Sequence, residues 1–257
     1  MLEINRIYNE DCLEGMKKID DKSVDAIICD LPYGVLNKTN ENAGWDTVIS
    51  LDVLWKQYKR IIKDNGAIVL FGQGMFTAQL MMSNPDMWRY NLIWKKGNRS
   101  TSFLNAKRMP LRNHEDIAVF YKSLPTYNPQ KWKGAKNHSR GKMQKEQKNQ
   151  CYGKYDPTAI EDDLSGMKYP LSIIDIDKEH DGTSWHPTQK PVELISYLVK
   201  TYTNEGDLVL DNCIGSGTTA VSCIRENRNF IGFELNKEYF DKAVKRIEDE
   251  KSVIRLF

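Results

Sequence analysis

The last quarter of the chain holds the pattern that leaves the fold least room. Asp207-Leu208-Val209-Leu210-Asp211 has the length and apolar content of a buried strand, and Asn212-Cys213-Ile214-Gly215-Ser216-Gly217-Thr218-Thr219-Ala220 follows it into a helical stretch ending near Arg225. A second strand pattern, Asn229 to Phe233, then runs into Glu234. Gly215 and Gly217 permit a tight turn and close backbone approach, and a helix opening near Thr218 presents unpaired N–H groups and a positive dipole end. Taken alone, a G-x-G-x-x-A stretch is weak evidence. Strand, glycine turn, helix, strand and acid in that order match the way doubly wound proteins hold a nucleoside cofactor, the acid binding ribose hydroxyls. Only one more helix, Lys237 to about Asp249, and a short tail follow. The sheet must therefore be completed by strands that come earlier in the chain.

Such strands are present. Ile4 to Tyr8, Val24 to Cys29, Ala67 to Phe71, Trp88 to Trp94 and Asp116 to Tyr121 read as strands, with helices at about Cys12 to Ile19, Ser50 to Lys63, Gly74 to Met82 and Val192 to Lys200. Alternating strands and helices predict an α/β fold with a doubly wound, mostly parallel sheet. Ligands of such sheets lie beyond the carboxyl ends of the strands, near the switch in strand order. That rule brings the loops after Asp211 and Cys29 to one edge.

The loop after Cys29 carries its own chemistry. Asp30-Leu31-Pro32-Tyr33-Gly34 places a carboxylate and an aromatic ring at a strand tip. Pro32 fixes its own φ and biases Leu31 toward extended backbone, so the Leu31 carbonyl and the Asp30 carboxylate can converge as acceptors for an NH2 group on a planar ring, with Tyr33 as a stacking face. A plain strand-to-loop turn with a capping Asp is the competing reading of the tetrapeptide by itself.

Together these segments resemble the beta-class, permuted amino DNA methyltransferases of the D-P-P-Y type, in which the catalytic motif precedes the S-adenosylmethionine loop. Asp30-Leu31-Pro32-Tyr33 matches the catalytic motif, His186-Pro187-Thr188-Gln189-Lys190-Pro191 the segment before the cofactor loop, and Asp211 to Thr219 the D-P-F-x-G-S-G-T-T loop, so the likeness spans nearly the whole chain. Leu31 departs from the first proline of the motif, and Asn212-Cys213 from the usual Pro-Phe. The resemblance implies a Rossmann-like methyltransferase fold with S-adenosylmethionine as cofactor and a base turned out of the DNA stack. Asp30 and the Leu31 carbonyl then accept the amine hydrogens, and Pro32 and Tyr33 complete the catalytic set. It implies adenine N6 as the target, because the adenine enzymes usually carry Asp where cytosine-N4 enzymes carry Ser; cytosine N4 is the alternative. For the cofactor it implies Glu234 on the ribose, Gly215 and Gly217 at close backbone approach, and Asp211 with Thr218 around the methionine portion. Thr188, Gln189 and Lys190, just before the helix that Pro191 opens, are candidates for its amino-acid end, although Thr188 also suits simple capping. Asp11 is a candidate for the cofactor adenine and equally a helix cap.

Between Lys95 and Trp185 the alternation breaks down. Lys131-Trp132-Lys133-Gly134-Ala135-Lys136-Asn137-His138-Ser139-Arg140-Gly141-Lys142 is basic and aromatic-bearing. Lys131, Lys133, Lys136, Arg140 and Lys142 are expected to meet DNA phosphates, with Lys95, Lys96, Arg99, Lys107, Arg108 and Arg112 extending the surface; a solvated charge run is the plainer reading. Trp45, in the long loop 35–48, is a candidate lid residue or a core residue. The expected organisation is 1–96 as the catalytic half, 97–185 as an inserted target-recognition region and 186–257 as the cofactor half. A net charge of +2 does not by itself point to nucleic acid. Five cysteines without a C-x-x-C pair, and histidines without ligand spacing, argue for reduced thiols and no metal. The absence of a leader pattern or long apolar run predicts a cytoplasmic protein without membrane contact. Relatives of this architecture often form homodimers, but no heptad or isolated apolar stripe demands it. An NAD-dependent oxidoreductase would use the same glycines and Glu234 but leaves Asp30 to Tyr33 unexplained. A catalytically silent DNA-binding module would have to retain complete motifs without using them.

Overall fold

The structure, a computed structural model, describes residues 2–34, 47–97, 100, 105–134, 166–178 and 189–254. Among the described residues, ten strands and six helices follow one another as β1 (Arg6–Tyr8), α1 (Cys12–Met16), β2 (Val24–Cys29), α2 (Leu51–Ile61), β3 (Ile62–Gly72), α3 (Met75–Ser83), β4 (Trp88–Lys95), β5 (His114–Phe120), β6 (Trp132–Lys133), β7 (Met167–Lys168), β8 (Ile173–Asp175), α4 (Val192–Tyr202), β9 (Leu208–Asp211), α5 (Thr218–Arg225), β10 (Asn229–Phe233) and α6 (Lys237–Ile254). Eight strands form one sheet in the order β1-β10-β9-β2-β3-β5-β4-β8. Every neighbouring pair is parallel except the two made by β5. This is the predicted doubly wound, mostly parallel sheet. The strand order turns between β9 and β2: the chain leaves β9 toward β10 on one side and β2 toward β3 on the other.

Side-chain alternation distributes the core over both faces. Ile27 and Cys29 of β2, with Ile68 and Leu70 of β3, pack with Met16, Leu54, Tyr58, Phe76 and Leu80 from α1, α2 and α3. Ile28, with Ala67, Val69 and Phe71, packs with Leu194, Leu198, Ala220, Cys223 and Ala243 from α4, α5 and α6. Strands buried on both faces need continuous apolar runs, and Ala26-Ile27-Ile28-Cys29 supplies one.

Several elements differ from the sequence expectations. β3 begins at Ile62, five residues early, because Ile62 pairs with Val24 before a register shift brings Ala67 opposite Ala26; α2 stops at Ile61 for that reason. β8 is an additional strand: Ile173 and Ile174 pair with Ile93 and Trp94 at the sheet edge, where Trp94 donates its indole N–H to the Ile176 carbonyl at 2.8 Å. Within the span 97–185, β5 and β8 add to the main sheet, whereas Pro129–Leu171 forms a compact unit of its own, with β6 and β7 paired antiparallel through Trp132 opposite Lys168. No helix among the described residues is long and apolar enough to cross a membrane.

The turn into α5 depends on Gly217, which caps the helix in the left-handed region at φ 78° with Ala243 of α6 close behind it. A Cβ there would sit 3.3 Å from the Ala243 Cβ. Gly217→Ala is expected to cost about 1–2 kcal/mol from the backbone alone, read as a lower urea midpoint at unchanged slope; an unchanged midpoint would show that the turn does not need this conformation.

Candidate active site

The carboxyl ends of β2, β9 and β10 carry Asp30, Asp211 and Glu234. Because β2 and β9 pair directly, with Ala26 opposite Val209 and Ile27 opposite Leu210, Asp30 and Asp211 arrive as neighbours on the α4–α5 face of the sheet. The two motifs, about 180 positions apart in the chain, thus share one edge.

Asp211 and Glu234 hold the glycine loop from both sides. Asp211 Oδ1 accepts the Cys213 N–H at 3.1 Å and Oδ2 accepts the Thr219 hydroxyl at 2.6 Å. Burial pushes the Asp211 carboxyl up to about 6, with Thr219 and the Cys213 amide opposing and the nearby Asp30 charge adding to the rise. Glu234 Oε2 accepts the Gly215 N–H at 3.0 Å and Oε1 accepts the Asn236 N–H at 2.8 Å; burial raises its carboxyl, and the amides of Asn236, Gly215 and Leu235 oppose the shift. Thr218 faces α6, where Arg246 donates to its hydroxyl at 3.0 Å, and it lies 3.0 Å from the Ser216 hydroxyl. Asp11 caps α1, accepting from Leu13 and Glu14.

Asp30 sits in a chain of buried charges. Its Oδ1 accepts the Tyr33 hydroxyl at 2.7 Å, and its Oδ2 accepts the Lys190 ammonium at 2.5 Å. Lys190 Nζ lies 3.2 Å from Glu115 Oε2 and 4.9 Å from the centre of the Phe71 ring, and Lys96 holds Glu115 Oε1. Charges alternate along Asp30, Lys190, Glu115 and Lys96. Burial alone would lower Lys190, but Asp30 and Glu115 outweigh it and hold the ammonium above its usual range. Burial opposes ionisation of Glu115, yet Lys190 and Lys96 bring its carboxyl down to about 2. Asp30 is raised by burial, an effect that Lys190 offsets only in part and Glu115 reinforces. The Asp30 side chain still keeps 23% of its surface open.

The remaining motif residues and the expected basic surface take varied places. Leu31 is buried in the core, so its side chain anchors the motif where a proline would have stiffened it. Pro32 is partly buried, and Gly34 follows at φ 68°. The Tyr33 ring lies against Phe76, centroids 4.9 Å apart, so that neighbour occupies part of its stacking surface. Lys190 is placed on Asp30. Lys96 is 5% exposed and paired with Glu115, which corrects its assignment to a DNA-facing surface. Lys95 is paired with Asp175 at 2.5 Å, whereas Lys107 and Arg108 are exposed. Lys131 and Lys133 lie in the Pro129–Leu171 unit. Thr188, Lys136, Arg140, Lys142, Arg99 and Trp45 lie outside the described residues. Glu115 belongs to none of the sequence motifs, although its alternation with Ile117 and Val119 already sets it on the face of Ile28 and Phe71.

A model of the DNA methylase family, N6_N4_Mtase, matches residues 24–245. The chain belongs to the N6/N4 DNA methylase family. Type II methyltransferase M.HinfI of Haemophilus influenzae is 30% identical over 96% of this chain and 69% of its own length. M.HpaI of Haemophilus parainfluenzae is 26% identical over 95% and 74%. Among solved structures, the complex of M1.HpyAVI with S-adenosylmethionine superposes with a TM-score of 0.65 at 25% identity, covering 94% of this chain and 98% of that one. The cytosine-N4-specific PvuII DNA methyltransferase gives 0.65 at 17% identity, covering 95% and 90%, and shares the fold.

S-adenosylmethionine is the cofactor of this methylase, and the donors and acceptors of the glycine loop fit it. A carboxylate has about four lone-pair positions; Glu234 is met by the amides of Gly215, Asn236 and Leu235, and the acceptor capacity left over would suit a ribose hydroxyl. Gln189, 7% exposed, has an Oε1 with no hydrogen-bond partner among the described residues, an acceptor suited to an ammonium.

Asp211 carries a pH signature. Its folded carboxyl is raised above its unfolded value, so its stabilising effect is complete below about pH 4 and is lost as pH rises through about 6. A rise of about two units corresponds to roughly 3 kcal/mol. Urea unfolding from pH 4 to 7 is expected to show wild type losing stability relative to Asp211→Asn across that window; parallel curves would contradict it.

Proposed function

We infer that this DNA methylase transfers a methyl group to the exocyclic N6 of adenine, with Asp30 as the residue that receives the amine. The observation that carries the reading is the position of Asp30: a partly open carboxylate at the tip of β2, beside the glycine loop of β9 and paired with a buried ammonium. An Asp at this motif position supports adenine over cytosine.

An exocyclic amine has its lone pair drawn into the ring. Accepting its N–H bonds on Asp30 and the Leu31 carbonyl favours a tetrahedral nitrogen whose lone pair is available. S-adenosylmethionine, when bound, supplies a methyl group on a positively charged sulfur. Holding the amine in line with that carbon is worth up to about 7–11 kcal/mol in well-oriented reactions, and the fixed tips of β2 and β9 serve this purpose. The excess proton left on nitrogen passes to Asp30, the carboxylate that already accepts an N–H of that amine, and burial, which raises the Asp30 pKa, favours the step. Turning the base out of a duplex costs a few kcal/mol, which stacking on Tyr33 at about 1–3 kcal/mol offsets in part.

Asp30→Ala is expected to lower transfer by at least about 100-fold, with calorimetric binding of S-adenosylhomocysteine kept within a few-fold. Incubation of wild type with labelled cofactor and unmethylated DNA, followed by nucleoside mass spectrometry, is expected to yield 6-methyladenine. Finding 4-methylcytosine alone would overturn the adenine assignment.

The span 97–185 is read as the target-recognition region, with the Pro129–Leu171 unit as a DNA-contacting part. Trp132 is 49% exposed and Tyr169 64%, and Lys131 Nζ lies 4.6 Å from the centre of the Tyr169 ring, so cationic and aromatic groups are offered together. Replacing Lys131, Lys133 and Lys136 by Gln is expected to weaken DNA binding and to flatten its log–log salt dependence by about 0.9 for each phosphate no longer neutralised. An unchanged slope would remove this surface from the interface.

A further inference from the structure

Both carboxylate oxygens of Asp30 are engaged, one by Tyr33 and the other by Lys190. An arriving amine must compete with an ammonium, and a charge-assisted bond is about twice as strong as a neutral one. Left in place, the ammonium would also repel the amine hydrogens. A second seat for Lys190 therefore makes Asp30 a stronger acceptor for the amine.

That seat is built into β5. Glu115 Oε2 is buried and already pairs with Lys190 Nζ at 3.2 Å, a longer contact than the 2.5 Å that Lys190 makes with Asp30 and one whose hydrogen-bond geometry is incomplete. Its other oxygen is held by Lys96, itself buried beside Trp94, so the carboxylate is fixed while Oε2 has only the longer Lys190 contact. A movement of about 0.4 Å toward Glu115 brings Nζ into the 2.7–2.9 Å range of a charge-assisted bond there and lengthens its 2.5 Å contact with Asp30, so the stronger hold shifts from one carboxylate to the other. Two carboxylates and two ammonium groups remain throughout, so no net charge enters or leaves the buried cluster and no new desolvation cost arises.

We propose that Lys190 is an exchangeable counter-ion that passes from Asp30 to Glu115 as the target amine docks, with Glu115 as the positioning residue that makes the exchange feasible. The proposal rests on the reading of Asp30 as the amine acceptor. It assigns the Lys of the Thr188-Gln189-Lys190-Pro191 segment to the base-binding side of the site. No covalent step is added.

The test compares Glu115→Gln, Glu115→Asp and Lys190→Met with wild type on unmethylated plasmid DNA, measuring kcat, KM for DNA and the pH dependence of kcat. The charged and titratable groups around Asp30 are Lys190, Glu115, Tyr33, Cys29 and Asp211, and those around Glu115 are Lys190, Lys96, Asp30 and Tyr33. Removing the Glu115 charge is expected to lower kcat by about 10- to 100-fold with KM within about twofold, and to move the acid limb to lower pH. Removing the Lys190 charge moves that limb to higher pH, because Asp30 loses the cation that opposes its burial. Glu115→Asp keeps the charge, draws the seat back by one methylene, and is expected to recover part of kcat with the limb in place. Wild-type kcat in Glu115→Gln, or acid limbs moving the same way in the Glu115→Gln and Lys190→Met variants, would overturn the exchange. Should Glu115→Gln fail to fold, as shown by circular dichroism, wild-type kcat in Glu115→Asp would overturn it instead. Asp30→Ala separates the two readings: turnover at the wild-type rate removes Asp30 and the exchange together, whereas an inactive Asp30→Ala beside a fully active Glu115→Gln removes the exchange alone.

Discussion

The parallel pairing of β2 with β9 is the interaction on which the site depends. Without it, Asp30 and the glycine loop belong to halves of the sheet that have no other reason to meet. Two register positions, Ala26 opposite Val209 and Ile27 opposite Leu210, are enough to set both strand tips at the same height. The pairing is reinforced from below by Asp25, whose Oδ2 accepts the Leu208 N–H at 2.9 Å while its Oδ1 pairs with Lys63 at 2.6 Å. One acid at the start of β2 thus ties β9 and β3 to it, and another, the proposed amine acceptor Asp30, stands at its end.

Alternation along the strands then decides which groups can meet. Asp30 continues the face of Ile28, Glu115 that of Ile117 and Val119, Lys96 that of Trp94, and Asp211 that of Val209; all lie toward α4, α5 and α6. Asp116, one residue from Glu115, points to the other face and accepts the Thr77 hydroxyl of α3 at 2.7 Å. A one-residue slip of β5 would exchange these two acids. The reversed direction of β5 matters equally, since it brings the start of that strand to the edge where its parallel neighbours end.

Much of this is legible in the sequence because the signals are local. Strand and helix patterns, the glycine turn and the strand-tip Asp are each contained in fewer than about a dozen residues, where periodicity and turn chemistry are informative. What the sequence hides is long-range. β8 is three residues whose identity as a strand comes from the free edge of β4, and β3 gains its first residues through a bulged pairing with Val24. Lys96 reads as a surface cation in the run Lys95-Lys96, yet alternation past the buried Trp94 turns it inward and Glu115 compensates its charge. Lys190 reads as a site residue from its motif, but its partner is Asp30, an ion pair across 160 positions.

The departure at Asn212-Cys213 shows how the same frame absorbs a different solution. A Pro-Phe pair would fill this place with apolar surface, whereas Asn212 brings a buried amide that must be satisfied. Its Oδ1 accepts the Tyr58 hydroxyl from α2, and its Nδ2 reaches Cys12 Sγ of α1 at 3.7 Å and Cys213 Sγ at 3.5 Å. Burial pushes the neighbouring Cys29 thiol up to about 12 and raises Tyr58 as well, so these groups stay neutral and form polar contacts without adding charge beside Asp30 and Asp211. The substitution exchanges packing against an aromatic ring for hydrogen bonds that join α1 and α2 to the loop of β9. Placement of the glycine turn is thereby linked to the helices on the opposite face of the sheet, and the loop keeps its position through directional bonds where the family pattern relies on bulk.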